Sequence, residues 1–412
     1  MQKAVGTLIT LFEAQGAETR IDAEALKARL EAGRLSLAVP FAADRTDLVA
    51  AVGAAILKRK GPISPFVKHF GFWIRNTALQ RLAQDHAQRT PPQTLSRPRG
   101  LVFHLPPKNV ETVFLYSWVL SYLAGNANVV RLPQNISPDM CWICDLFLSA
   151  LREAEDNSQS LIHYPSDSDL GRLISAQSDA RVVWGGDAKI KAFETLPLRN
   201  GGKSIWFGDR FSLGVLAGAT IATLSDTERQ DLANRLFNDV FIFDQMACSS
   251  PHVLYVVGSA QDHLVGVKQL LQALADVATR RGEAPAAGHQ IAKMVQGFSS
   301  AAAGFASEVI WQNSALTSAI STADDRLEQR VGGGFLNVVF LSSLDAINEI
   351  IRERDQTITH FGFEPNEIQR IAASNTSLGV SRWTPAGTAL DFDHIWDGYD
   401  LLAELTRLVR VA

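Results

Sequence analysis

Residues 101–133, LVFHLPPKNVETVFLYSWVLSYLAGNANVVRLP, read as strand, helix, strand. A strand delivers the chain to Leu105, where Pro106 and Pro107 forbid helix and remove two backbone donors. A long apolar helical run follows, and NVVRL begins a second strand. The same alternation continues through helix PDMCWICDLFLSALREAE, strand SLIHY, helix DLGRLISAQ and strand RVVWGG. Short strands separated by helices signal βαβ units, and so a parallel sheet covered on both faces. This half is Rossmann-like.

Outward from it, residues 1–95 read as polar amphipathic helices such as AEALKARLEAG and DLVAAVGAAILKRKG, each closed by a glycine. A second α/β block begins near FSLGVLAG. Its helix over 225–243 opens with Ser225 and Glu228 at capping-box spacing. Strand HVLYVV, two long helices around 260–303, strand LNVVFLSS, helix SLDAINEIIRE, strand TITHFGF and helix PNEIQRIAAS follow. The tail HIWDGYDLLAELTRLVRV reads as a terminal helix. The expected division is residues 1–210, completed by about 385–412, against 211–384.

With 412 residues, 46% apolar and 20% charged, the chain is too long for one ordinary core. A net charge of −4 without a dense basic block argues against nucleic acid and anionic membrane surfaces as partners. Nowhere do about 18 apolar residues run together, and the N-terminus lacks the features of a cleaved leader. Three cysteines suit a reducing compartment better than a disulfide framework, so a cytoplasmic location is expected.

Two features invite a chemical reading. Asn109 stands where a helix N-cap is expected, at the mouth of the sheet's carboxyl edge, so it is either a cap or a ligand contact. Cys248, in DQMACSSP at 244–251, lies between a helix and a buried strand, as a presented thiol or a small core residue.

In order, LPPKN at 105–109 and AGNANVVRLP at 124–133 resemble the Ile-Thr-Pro-Trp-Asn and Ala-Gly-Asn-Thr-Val-Val-Leu-Lys-Pro segments of the aldehyde dehydrogenase superfamily. VVWGGDAKI at 182–190 resembles its Phe-Thr-Gly-Ser turn, LRNGGKSIWFG at 198–208 its Leu-Glu-Leu-Gly-Gly-Lys stretch, and DQMACSSP its nucleophile loop. The Cys-Ser-Ser-Pro loop and the ending SRWTPAGTALDFDHIWDG are similar to one branch, the luminescence-type fatty acyl-CoA reductases. The resemblance covers roughly 100–412.

It implies an aldehyde dehydrogenase-like α/β fold: a Rossmann-like cofactor domain over the first division and a catalytic domain over the second. Cys248 would be the nucleophile, with the Asn109 amide and the Cys248 backbone N–H as oxyanion donors. Cofactor contacts would come from Leu105, Pro107, Lys108, Arg131, Trp184, Gly185, Gly186, Gly201 and Gly202. Arg131 falls where the family has a lysine against the adenosine ribose; a cation there suits a 2′-phosphate, so NADPH is expected, with NADH the alternative. An ordinary salt bridge is the competing reading of Arg131.

Three departures stand out. Arg199 occupies the position of the family's water-activating glutamate, so no deacylating base is evident, as a thioester reductase requires. Lys108 replaces a tryptophan. RVGGGFLNVVF lacks the glutamate that precedes the family's ribose-binding Phe-x-Gly-Pro-Val stretch.

The Cys141-x-x-Cys144 pair has no second pair or histidines at zinc spacing, so it reads as one buried helix face, and no metal is expected. LRNGGKS lacks the first glycine of a phosphate loop. Among His252, His289 and His360, the last lies nearest the family's cleft-lining strand. The expected activity is reduction of an acyl thioester to an aldehyde through an acyl-cysteine, with a fatty acyl-CoA as substrate. The alternatives are a carrier-protein-bound or small functionalised acyl group, or a non-catalytic scaffold. The expected partners are acyl-CoA or an acyl-protein thioester from an acyl-transferring enzyme, and a second copy in a homodimer or tetramer.

Overall fold

The computed structural model describes residues 8–107, 112–322 and 326–411. The chain divides into two compact units, Met1–Gly208 with Tyr399–Ala412, and Asp209–Gly398.

The first unit opens with β1 (Ile9–Phe12) and β2 (Glu18–Ile21), then α1 (Ala23–Arg34), α2 (Ala43–Lys58), α3 (Pro65–Trp73) and α4 (Asn76–Arg89). The lead-in is therefore not wholly helical. The alternating Ile9, Leu11 pair is buried, and β1 joins the main sheet antiparallel to a later strand, Leu11 opposite Ile162. After β3 (Thr94–Pro98) come β4 (Leu101–Leu105), α5 (Val113–Leu123), β5 (Ala127–Arg131), α6 (Pro138–Glu153), β6 (Gln159–His163), α7 (Leu170–Gln177), β7 (Ala180–Trp184), α8 (Asp187–Glu194) and β8 (Lys203–Phe207). The sheet order is β2-β1-β6-β5-β4-β7-β8, parallel from β6 onward. Ser137 caps α6 through the Met140 N–H, with Pro138 in the first turn. On that helix Cys144 is buried but Cys141 is exposed. The paired-core reading holds for Cys144 alone, because Cys141 sits in the first turn, outside the face that buries Met140 and Phe147.

The second unit contains β9 (Phe211–Ala217), α9 (Gly218–Thr223), α10 (Asp226–Val240), β10 (Pro251–Val257), α11 (Ala260–Arg280), α12 (Ala287–Ala302), β11 (Ala306–Trp311), β12 (Thr317–Ser321), β13 (Phe335–Leu341), α13 (Ile347–Ile350), β14 (Asp355–Phe361), α14 (Pro365–Ser374), β15 (Arg382–Pro385) and β16 (Ile395–Trp396). Its sheet runs β11-β12-β13-β10-β9-β14-β15, parallel except at the β11 edge. The Ser225–Glu228 capping box of α10 is present. The unit runs to Gly398, past the expected boundary near 385, because the Asp239 carboxyl accepts the N–H groups of Gly387 and Ala389 and Arg210 pairs with Asp397.

The chain then returns to the first unit as β17 (Tyr399–Asp400), one helical turn, α15 (Leu401–Glu404), and β18 (Thr406–Arg410). The expected terminal helix stops there: Asp400 caps it, and the Thr-Arg-Leu-Val-Arg run pairs antiparallel with β3, Thr406 opposite Pro98. Among the described residues no helix is long and apolar enough to cross a membrane.

In the second unit, Arg326 donates to both oxygens of Asp355 at 2.9 Å, and both side chains are almost fully buried. Asp355→Asn leaves the buried guanidinium with only the half-exposed Glu328, 2.9 Å from its Nε, as countercharge. It is expected to lower the unfolding free energy by about 3–5 kcal/mol, read as a fall in the urea midpoint.

Candidate active site

Cys248 precedes β10 at the amino edge of the second sheet. The turn that delivers it holds Phe243, Asp244 and Gln245 at φ of 57°, 52° and 62°, left-handed values that side-chain-bearing residues resist. Gln245 is what holds the turn. Its side chain is fully buried; Oε1 accepts the N–H groups of Gly334 (3.1 Å) and Phe335 (3.0 Å), while Nε2 donates to the carbonyls of Pro251 (2.8 Å) and Phe335 (3.0 Å). The Gly333 N–H donates to the Asp244 carbonyl at 2.8 Å.

Gly332, Gly333 and Gly334 all have positive φ, and a Cβ on Gly334 would stand 2.2 Å from the Ala315 carbonyl oxygen. The triple glycine therefore braces the cysteine turn, a role the comparison with a ribose-binding stretch did not suggest. A buried glutamine 89 positions before the glycine it binds leaves no local sequence signature. Ser212 completes the support, its Oγ donating to the Cys248 carbonyl at 2.7 Å.

The strands gather further groups at this edge. Gln356, the second residue of β14, turns its side chain toward both the Cys248 thiol and the carboxyl of Asp397. Asp397 follows β16 at φ 52°, its side chain 3% exposed, and Arg210 Nε reaches its two oxygens at 3.1 and 3.2 Å. Arg330 faces the thiol and pairs with Asp209. Arg382 also faces it, donating to the Thr388 and Ala389 carbonyls and lying 5.0 Å from the Trp396 ring. The ending segment is moored by Asp239, whose carboxylate accepts the N–H groups of Gly387 (2.6 Å) and Ala389 (2.9 Å).

Burial pushes the Cys248 thiol up to about 11, with the Asp397 charge acting the same way, against Gln356 and Arg330. Burial also raises the Asp397 carboxyl, tempered by Arg210 and Gln356. His252 is buried against the Phe211 ring (5.3 Å), and burial followed by Arg330 lowers it to about 3. His360 is the last residue but one of β14, at the opposite edge from Gln356, and His289 packs on Gly333. The structure thus supplies Cys248 with a carboxylate, Asp397, that the sequence reading had not placed.

In the first unit, β4 and β7 end side by side at the carboxyl edge of the sheet. Leu105 and Pro107 are buried there. Trp184 stacks on Phe207 at 3.7 Å; Gly185, at φ 152°, donates its N–H to the Phe207 carbonyl, and Gly186 caps α8. Lys189, in the first turn of α8, donates to the carbonyls of Pro106 (2.8 Å), Trp184 (2.8 Å) and Leu105 (3.4 Å). A cation is unfavourable at a helix N-terminus, and that was the available signal for Lys189. Arg131, ending β5, lies 4.6 Å from the Tyr164 ring and donates to the Tyr164 carbonyl, with its Nε buried and unpartnered.

Lys108 and Asn109 lie outside the described residues. Gly201 and Gly202 fall elsewhere: they precede β8, at the amino edge of the same sheet, whereas open α/β sheets bind ligands beyond their carboxyl ends. Arg199 is there too, 48% exposed and paired with Asp179 at 3.3 Å. This corrects the motif alignment over 198–204. The carboxyl end of β8 is Phe207, and Arg199 carries no information about a deacylating base.

Gln245→Leu keeps the side-chain bulk but strands two buried N–H groups and two carbonyls. It is expected to cost about 3 kcal/mol or more in chemical denaturation, and to make Cys248 label faster with a bulky maleimide as the turn loosens.

The sequence matches the acyl-CoA reductase (LuxC) family over residues 81–410. No curated protein matches it. Similar solved structures include an oxidoreductase from Marinobacter aquaeolei, 15% identical with a TM-score of 0.64, covering 98% of this chain and 95% of that one. An NADP-dependent enzyme of E. coli is 12% identical with a TM-score of 0.64, over 98% and 94%. An NAD-dependent aldehyde dehydrogenase from Sinorhizobium meliloti is 13% identical with a TM-score of 0.65, over 97% and 90%. These likenesses establish the fold. The chain belongs to the acyl-CoA reductase (LuxC) family and has an aldehyde dehydrogenase-like fold.

Proposed function

We propose that the protein reduces an acyl thioester, most simply a fatty acyl-CoA, to the aldehyde, with Cys248 as the nucleophile and NADPH as the reductant. The observation that carries this reading is the Cys248 turn: a strained backbone is braced by a fully satisfied buried glutamine, at an edge where Gln356 and Arg330 favour the thiolate. A core-filling cysteine needs none of that apparatus.

Cys248 Sγ attacks the acyl carbonyl, the bond to the departing thiol breaks, and an acyl-cysteine forms. The Cys248 backbone N–H and the Asn109 amide are the proposed oxyanion donors. At the carboxyl edge of the first sheet, the residues present fit a dinucleotide: the Gly186 cap begins α8, Lys189 adds positive charge, and the buried Nε of Arg131 lacks a partner. Leu105, Pro107 and Trp184 line that edge. A nicotinamide bound there supplies the hydride that turns the acyl-cysteine into aldehyde. NADH is the alternative cofactor. The acyl donor is acyl-CoA or a protein thioester handed over by a transferring partner, and the chain acts as a homo-oligomer.

Asp397 favours a second reading. A carboxylate facing Cys248 could activate water and release the free acid, as an aldehyde oxidiser does.

Incubation with acyl-CoAs of graded chain length, without cofactor, is expected to add one acyl mass to the wild type and none to Cys248→Ala. The adduct persists for many minutes and is discharged as aldehyde when NADPH is added. Rapid loss of the adduct to free acid would favour the oxidiser, and absence of any adduct would count against both. Arg131→Ala is expected to raise the KM for NADPH about tenfold or more, the worth of a charge-assisted contact, while leaving that for NADH nearly unchanged. Equal effects on the two cofactors would remove the 2′-phosphate role.

A further inference from the structure

The resting thiol is mainly protonated, since burial and a neighbouring carboxylate both disfavour its ionisation. Attack on an acyl carbonyl must then be coupled to removal of the S–H proton. The described groups facing Cys248 are Gln356, Asp397, Arg330 and Arg382. An amide and two guanidinium groups cannot accept a proton at neutral pH. Asp397 can.

Its placement is built. A non-glycine residue held at φ 52° aims a carboxyl that is 3% exposed, Arg210 fixes both oxygens, and the Gln356 side chain faces carboxyl and thiol together. Behind these, Asp209 neutralises Arg330, while Asp239, Asp391 and Asp393 face Arg382 and His252 faces Arg330. Arg210, Cys248, Gln356 and Asp397 come from four separate segments: the lead into β9, the turn before β10, the start of β14 and the residue after β16.

We propose that Asp397 is the proton carrier of Cys248, with Gln356 holding carboxylate and thiol face to face and Arg210 keeping the carboxyl in place. This rests on the reading of Cys248 as the nucleophile. As the Sγ–carbon bond forms, the S–H proton passes to an Asp397 oxygen. As the carbon–sulfur bond of the donor thioester breaks, the departing thiolate takes that proton and leaves as a thiol. Asp397 returns to the carboxylate, with no net proton change and no oxidation or reduction. In this role the carboxyl is occupied by the proton while the acyl-cysteine forms, so it is not an unloaded base facing water at that moment.

Two measurements on the full-length protein test it, and only one uses an acyl substrate. The first is the rate of Cys248 alkylation by iodoacetamide against pH. Asp397→Asn removes the opposing charge, so the profile is expected to move to lower pH, with alkylation at pH 8 about tenfold faster. Gln356→Leu removes a group that favours the thiolate, so its profile moves the other way.

The second is the single-turnover rate of acyl-cysteine formation from acyl-CoA. Here Asp397→Asn is expected to fall about 100-fold or more although its thiol is the more easily ionised, and Asp397→Glu to recover part of the loss. An unmoved alkylation profile, or acylation within threefold of wild type, would overturn the proposal. So would an acyl-cysteine that forms at the normal rate but lasts longer in Asp397→Asn, which assigns the carboxylate to water instead. Should Asp397→Asn fail to fold, Asp397→Ser takes its place in both measurements, with the same outcomes for and against. Failure of every acyl-CoA to label wild-type Cys248 would sink the reductase reading, while the alkylation profiles would still judge the coupling of Asp397 to the thiol.

Discussion

The clamp made by Gln245 is the constraint on which the site depends. Consecutive left-handed residues cost of order 1–3 kcal/mol each, and such a turn persists only where its surroundings leave it no other choice. Gln245 meets that condition by spending both its donors and both its acceptor positions on backbone at the starts of β10 and β13. Those two strands are parallel neighbours, so the clamp is tied to the centre of the sheet. The glycines at 332–334 follow from the same constraint: a side chain at Gly332 would meet the Met246 sulfur, and one at Gly334 the Ala315 carbonyl.

Around the sulfur, charge is balanced on a fine scale. Arg330 and Gln356 favour the thiolate; burial and Asp397 oppose it, and win. A buried carboxylate costs several kcal/mol unless paired, and Arg210 supplies the pairing on both oxygens. A structural cysteine would be easier to accommodate beside an apolar residue at 397. The arrangement makes sense when a proton has to travel between sulfur and oxygen.

How much of this could be read from residues alone follows from distance along the chain. The βαβ alternation after Leu101, the capping box at Ser225 and the Cys248 loop are local patterns, and each was legible. The N-terminal strands and the final strand were not. β1 and β18 are short, and their partners β6 and β3 lie far away in sequence, so pairing rather than propensity decides their state. The site divides the same way. Cys248 and the Gly185–Gly186 turn carry local signatures, whereas Arg210, Gln356 and Asp397 meet only because β9, β14 and the segment after β16 begin or end at one edge. The misplaced match over 198–204 has a related cause: Gly-Gly-Lys resembles a turn wherever it stands, and only strand direction distinguishes the amino edge of β8 from its carboxyl edge.

The raised thiol also bears on the choice between reduction and hydrolysis under the proposed function. A thioester yields to water more readily when its sulfur is a good leaving group, and leaving ability falls as the thiol's pKa rises. A sulfur pushed up to about 11, against about 8.5 for an ordinary cysteine, makes the acyl-cysteine a poorer acyl donor to water. Hydride and water both add to the carbonyl carbon with the carbon–sulfur bond intact, so the raised thiol acts on the collapse that follows: the water adduct can fall back by losing its oxygen, whereas the hydride adduct falls back only by giving up the hydride. Collapse of the hydride adduct would then have to expel the sulfur, and Arg330 and Gln356 would lower the cost of the transient thiolate until it takes up a proton from solvent. Burial and Asp397 thus slow the side reaction while Arg330 and Gln356 support the productive one, because only the water adduct has an easy alternative to expelling the sulfur.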